Sequence, residues 1–145
     1  MATISIVQQA SLQISVLKAE IETKKTSQQG FILPLRQRRG EPAPLAPDSV
    51  LQMQLNKAYR TYQKIIYDII NTSQQIEVLL ERQIAWLDSM VVHMSRTKRG
   101  VDLSEVLESF GAQIRALETR VLQQQRDLQA EQAAMIILAN TEGRI

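Results

Sequence analysis

Cysteine is absent from this 145-residue chain. Disulfides and thiolate-held metals are thereby excluded. The lack fits a reducing compartment, and it equally fits proteins threaded through narrow secretion channels. With a single histidine, His93, and no cysteine, a zinc site is not expected. Aromatics make up 4% of the residues and glycine occurs 5 times, which suggests something more elongated than a compact domain. Long apolar runs are also missing. The longest, residues 133–139, falls far short of the roughly 20 residues that span a bilayer. No basic stretch followed by an apolar core opens the chain, so no signal peptide is expected. The expected location is cytoplasmic, with export by a non-classical route as the other outcome. No glycine-rich phosphate loop is present.

What the chain has in quantity is glutamine, 18 residues, together with Leu, Ile, Ala, Glu and Arg. That is the composition of long helices. The organising stretch is 103–138, where Leu103, Leu107, Phe110, Ile114, Leu117, Val121, Leu128, Met135 and Leu138 recur in alternating steps of four and three. A heptad pattern held this long predicts one helix with a packing seam, interrupted only by Gln124 and Glu131.

A second helix is expected from Ser49 to residue 99. Ser49 with Gln52 fits a capping box, and neither proline nor glycine follows until Gly100. Its apolar residues form two rows. One runs Leu55, Ala58, Tyr62, Ile65, Ile69, Thr72, Ile76, Leu79. The other runs Tyr59, Ile66, Ser73, Leu80, Leu87, Met94. Two rows make a face wide enough for more than one neighbouring helix. The patch Asn71-Thr72-Ser73 is a soft point of weak helix formers. Between the helices, Arg96, Lys98 and Arg99 complement the helix dipole, Gly100 is expected to take the left-handed C-terminal position, and Asp102 with Glu105 is expected to cap the third helix. So short a turn forces an antiparallel αα-hairpin. That hairpin pairs Leu107 with Met94, Ile114 with Leu87, Val121 with Leu80 and Leu128 with Ser73.

Residues 4–25 alternate like a strand in places, but Val7, Ala10, Ile14, Leu17 and Ile21 follow helical spacing. No other segment offers a strand partner, so a weakly amphipathic helix is expected. Residues 26–48 hold all 4 prolines, and read as a linker with a polyproline-like run at Pro42, Pro44 and Pro47. Within it, Phe31, Ile32, Leu33 and Leu35 precede Arg36, Arg38 and Arg39, an arrangement that suits either tucking back onto the bundle or docking an acidic partner. The polar residues 140–144 are expected to fray.

The expected fold is therefore all-α: an elongated long-helix αα-hairpin, coiled-coil-like, with a tethered N-terminal amphipathic helix. Its expected parts are 1–25, a Pro/Arg-rich linker at 26–48, and a hairpin at 49–145 built from helices 49–99 and 103–139. Catalysis is not expected, since no nucleophile, base and orienting group occur together. Ser15 and Lys18 match S-x-x-K without the companion motifs of that enzyme class. Glu77 with Glu81, and Glu105 with Glu108, read as solvated helix faces. No cofactor or metal is expected.

Two function classes remain. The first is a non-enzymatic helical assembly or scaffold subunit, such as a filament, shell, adaptor or export-related component, acting through self-association or a helical protein partner. Its expected interface residues are Tyr62, Ile69, Ile76, Leu80, Leu87, Leu107, Ile114, Val121, Leu128 and Met135. The hairpin alone leaves Leu55, Tyr62, Ile69, Ile76 and Leu79 largely without cover, so at least a homodimer through the second helix is expected. The second class is a nucleic-acid-binding accessory protein using Arg36, Arg38, Arg39, Arg96, Lys98 and Arg99. The formal net charge of +2 and the small size of both basic groups rank it below the first.

Overall fold

A computed structural model describes residues 5–46 and 48–140. The described residues are all-α: three long helices, α1 (Ile6–Arg39), α2 (Ser49–Thr97) and α3 (Ser104–Asn140), with no strand among them. The expected hairpin is the α2–α3 pair. The expected fraying of 141–144 falls outside the described residues.

The first helix differs most from expectation. It begins at a reciprocal capping box: Ser5 Oγ accepts from the Gln8 amide at 3.1 Å, and Gln8 Oε1 accepts from the Ser5 amide at 3.1 Å. Its many hydroxyls are absorbed by bonds back along the helix, Ser15 to the Ser11 carbonyl, Thr23 to Ala19 and Thr26 to Glu22. It then continues through 26–39, where a linker was expected, with Pro34 inside it. The physical reason is burial. Ile14, Ile21 and Leu35 lie on one heptad row, and all three are buried, as is Ile32. The gain from burying two more large side chains, about 1.5–3 kcal/mol each, offsets a proline penalty of about 3 kcal/mol. Pro34 leaves the Gly30 carbonyl without its helical donor, but both residues face solvent, where water can satisfy a freed carbonyl.

The remaining linker, through Ala46, is pinned to the start of α2. Gln52 is central: its Nε2 donates to the Pro44 carbonyl at 3.0 Å and its Oε1 accepts from the Ala46 amide at 2.5 Å. Tyr59 donates its hydroxyl to the Glu41 carbonyl. The expected Ser49–Gln52 box is thus replaced. Asp48 caps α2, its carboxylate accepting from the Val50 amide at 2.7 Å, which frees Gln52 to hold the linker.

Most of both α2 rows is buried as the spacing predicts, Leu55, Tyr62, Ile69, Thr72 and Ile76 on one, Ile66, Ser73, Leu80, Leu87 and Met94 on the other, while Ala58, Tyr59, Ile65 and Leu79 are half-buried. Along α3 the buried positions are Ile114, Val121 and Leu128, one heptad apart. The turn corrects one residue. Lys98, with φ 57°, takes the left-handed position, and no glycine has positive φ among the described residues. The Lys98 amide closes the last turn on the Met94 carbonyl at 2.8 Å. Gly100 is small for another reason: a Cβ there would lie 2.9 Å from Ile6 Cγ2.

The chain divides into two compact units, each with a segment of all three helices. The first comprises Met1–Gly30 and Gln75–Leu117, the second Phe31–Gln74 and Glu118–Ile145. In the first unit α1 runs antiparallel to α2, joined by Lys18–Asp88 at 2.5 Å and Lys25–Glu81 at 3.3 Å. In the second unit the two helices are joined by Gln63 Nε2, which donates to the Arg38 carbonyl at 3.0 Å.

Candidate interaction surfaces

The heptad rows place most of the expected interface residues inside the chain itself. Tyr62, Ile69, Ile76, Leu80, Leu87, Ile114, Val121 and Leu128 are buried, and Leu107 and Met135 are half-buried. Leu55, expected to need a cover, is fully buried as well. In the first unit the cover comes with Ile14 and Ile21 of α1, in the second with Ile32 and Leu35. The row expected to face a second copy is thus core in a single chain.

Exposed large apolar side chains occur on every helix and in the linker, Ile6, Leu45, Val50 and Met53 among them, but the one continuous apolar stretch lies near the end of α3. Residues 133–139 are Ala-Ala-Met-Ile-Ile-Leu-Ala, so this stretch is apolar around its whole circumference. Ile136 is 54% exposed, and Met135 and Leu138 are only half-buried. Two heptads back from Ile136, Leu122 is 57% exposed.

The two basic groups fall in different units. Arg96 lies in the last turn of α2, with Lys98 and Arg99 just after it, and all three are exposed. Arg36, Arg38 and Arg39 fill the last turn of α1 rather than a loop. Cations there meet the negative end of the helix dipole. The Arg39 guanidinium sits over the Tyr67 ring, 4.8 Å from its centre. Arg36 and Arg39 form one wall of an open cleft of about 380 Å³, with Tyr67, Ile70, Asn71 and Gln74 of α2 as the other. Among the described residues, no carboxylate pairs with Arg36 or Arg39.

The facing residues Tyr67, Asn71 and Gln74 are not among the expected site residues, and Asn71 enters the sequence reading only as part of a soft point of α2. The signal for two of them is present: stepping back by heptads from Asp88 along α2 gives Glu81, Gln74 and Tyr67. The row that faces the α1 cations changes from acid to amide to aromatic.

Asp102 bonds to the start of α3 through Ser104 rather than in the expected pairing with Glu105: its carboxylate accepts from the Ser104 amide at 3.0 Å and the Ser104 hydroxyl at 2.7 Å. The hydroxyl bond first, then the amide bond, holds its pKa below the usual 3.8. His93 is exposed at the surface of α2. No group of three or more His, Asp or Glu side chains that could hold a metal occurs among the described residues, and no helix there is long and apolar enough to cross a membrane. No protein-family model, curated protein or solved structure matches the chain.

Proposed function

We propose that this chain is a non-enzymatic helical assembly subunit that associates with a second copy through the end of α3. The observation that carries the reading is the apolar circumference of residues 133–139 with Ile136 more than half exposed. A helix that is apolar all round is covered in its working state. The remainder of the chain supports the role. Its helices are long, its α2 rows are already satisfied, and its chemistry is that of packing rather than of bond making.

Sedimentation velocity across micromolar concentrations tests it. The wild-type chain is expected to sediment as a dimer or larger species. Ile136→Lys is expected to sediment as a monomer with unchanged helical circular dichroism, because residue 136 is not part of the core. A wild-type chain that stays monomeric throughout that range overturns the reading.

A further inference from the structure

The cleft at the end of α1 is built like half of an ion pair. In the first unit, the α1 cations meet carboxylates on one heptad row of α2: Lys18 on Asp88 and Lys25 on Glu81. In the second unit, that row continues as Gln74 and Tyr67. Arg36 and Arg39 therefore face amides and a ring, with Ile70 as a buried floor between them.

The site is also held in place. Ile32 and Leu35 are buried one turn before the arginines, anchoring the helix that presents them. The Arg38 carbonyl accepts from Gln63, which also donates to the Tyr59 hydroxyl at 2.7 Å, and Tyr59 donates to the Glu41 carbonyl. Stacking on Tyr67 orients the Arg39 fork. A guanidinium fixed this way loses less rotamer freedom when it forms a two-point bond to a carboxylate.

We propose that this cleft binds an acidic segment of a protein partner. One Asp or Glu carboxylate bridges Arg36 and Arg39. The Asn71 and Gln74 amides, each both donor and acceptor, read the neighbouring peptide backbone. A volume of about 380 Å³ suits one side chain with its flanking peptide groups. Nucleic acid fits less well. A phosphate strand needs a track of cations and open ring faces for its bases, whereas here the Tyr67 face is occupied by Arg39. The proposal rests on the chain being a protein-contact module, but it uses a surface separate from residues 133–139.

Fluorescence anisotropy with a labelled Glu-Ala repeat peptide tests it on the full chain. The peptide is expected to bind at low salt and to weaken as salt rises. Arg36→Gln with Arg39→Gln is expected to raise Kd about tenfold or more, as loss of charge-assisted bonds requires. Arg96→Gln with Arg99→Gln, which removes the same charge elsewhere, is expected to leave Kd unchanged. Asn71→Ala with Gln74→Ala is expected to weaken binding at constant net charge. Equal losses from both arginine pairs would show unspecific attraction and overturn the site. So would tighter binding of a labelled oligothymidine than of the peptide, or no peptide binding at low salt. Sedimentation of the Arg36→Gln, Arg39→Gln variant separates the two proposals, since its self-association is expected to match wild type.

Discussion

Adjacent residues on α2 carry two buried hydroxyls in opposite circumstances, and their removal should move stability in opposite directions. Thr72 is 2% exposed and its hydroxyl donates to the Asp68 carbonyl at 2.9 Å. Ser73 is fully buried and its oxygen has no partner among the described residues. A buried polar group left unpaired costs about 1–3 kcal/mol. Ser73→Ala removes that cost and gains up to about 0.7 kcal/mol of helix propensity, less the packing of one lost atom. The expected net gain is about 1–2 kcal/mol. Thr72→Val loses a satisfied bond but leaves the Asp68 carbonyl its backbone donor, so the expected change runs from zero to about 1 kcal/mol of destabilisation. With a urea m-value of about 2 kcal/mol per molar, Ser73→Ala should raise the midpoint by about 0.5–1 M. Urea unfolding of both variants, followed by circular dichroism, measures the difference. A Ser73→Ala midpoint equal to or below wild type would mean that the hydroxyl is bonded in solution, most simply to the Ile69 carbonyl one turn back, and would refute the reasoning.

Other positions give independent checks. Lys98 holds the left-handed conformation that glycine adopts without strain, so Lys98→Gly should raise stability by about 1 kcal/mol in the same urea assay. Pro34→Ala restores the amide donor to the Gly30 carbonyl and should raise the thermal midpoint by several degrees, about 2 kcal/mol after the more flexible unfolded chain is allowed for. Asp102 has a lowered folded pKa, so its capping contribution is present above the usual 3.8 and is lost as pH falls through the lower folded value. Asp102→Asn should flatten the acid limb of a stability-against-pH profile measured from neutral pH downward.

The α2–α3 hairpin was legible because its burial repeats every heptad. Ile114, Val121 and Leu128 on α3, and Ile66, Ser73, Leu80, Leu87 and Met94 on α2, lie where spacing alone puts them. The length of α1 was not legible from its punctuation. Pro34 and Gly30 are strong local breakers, and local rules predicted a linker there. Tertiary burial of Ile32 and Leu35 outweighs them, and the clue is that Leu35 continues the row of Ile14 and Ile21 past Gln28. Turn chemistry failed at single residues. Lysine at position 98 adopts positive φ although glycine stands two residues later, because the helix stops at Thr97. The Ser49–Gln52 pattern matched a capping box, yet Asp48 one residue earlier is the stronger acceptor and takes that role. The Arg36–Arg39 cleft needed the register between α1 and α2, which no single helix encodes.

The extension of α1 also changes what a charge in the α2 row would do. With a hairpin alone, Ile69 and Ile76 would face a second copy, and Ile69→Asp with Ile76→Asp would separate two folded subunits. In the structure Ile69 is buried in the second unit and Ile76 in the first, both at 1% exposure or less. Each substitution therefore removes a buried side chain, about 2–5 kcal/mol, and places an unpaired carboxylate in an apolar site, at several kcal/mol more. Together these reach the whole stability of a typical domain, about 5–15 kcal/mol. The expected result is loss of helical circular dichroism rather than a folded monomer. Ile136→Lys, by contrast, should keep its helicity and lose only association. A folded, monomeric Ile69→Asp, Ile76→Asp variant would show that α1 leaves this row in solution and that a second chain replaces it. The interface would then belong to α2 and not to the end of α3.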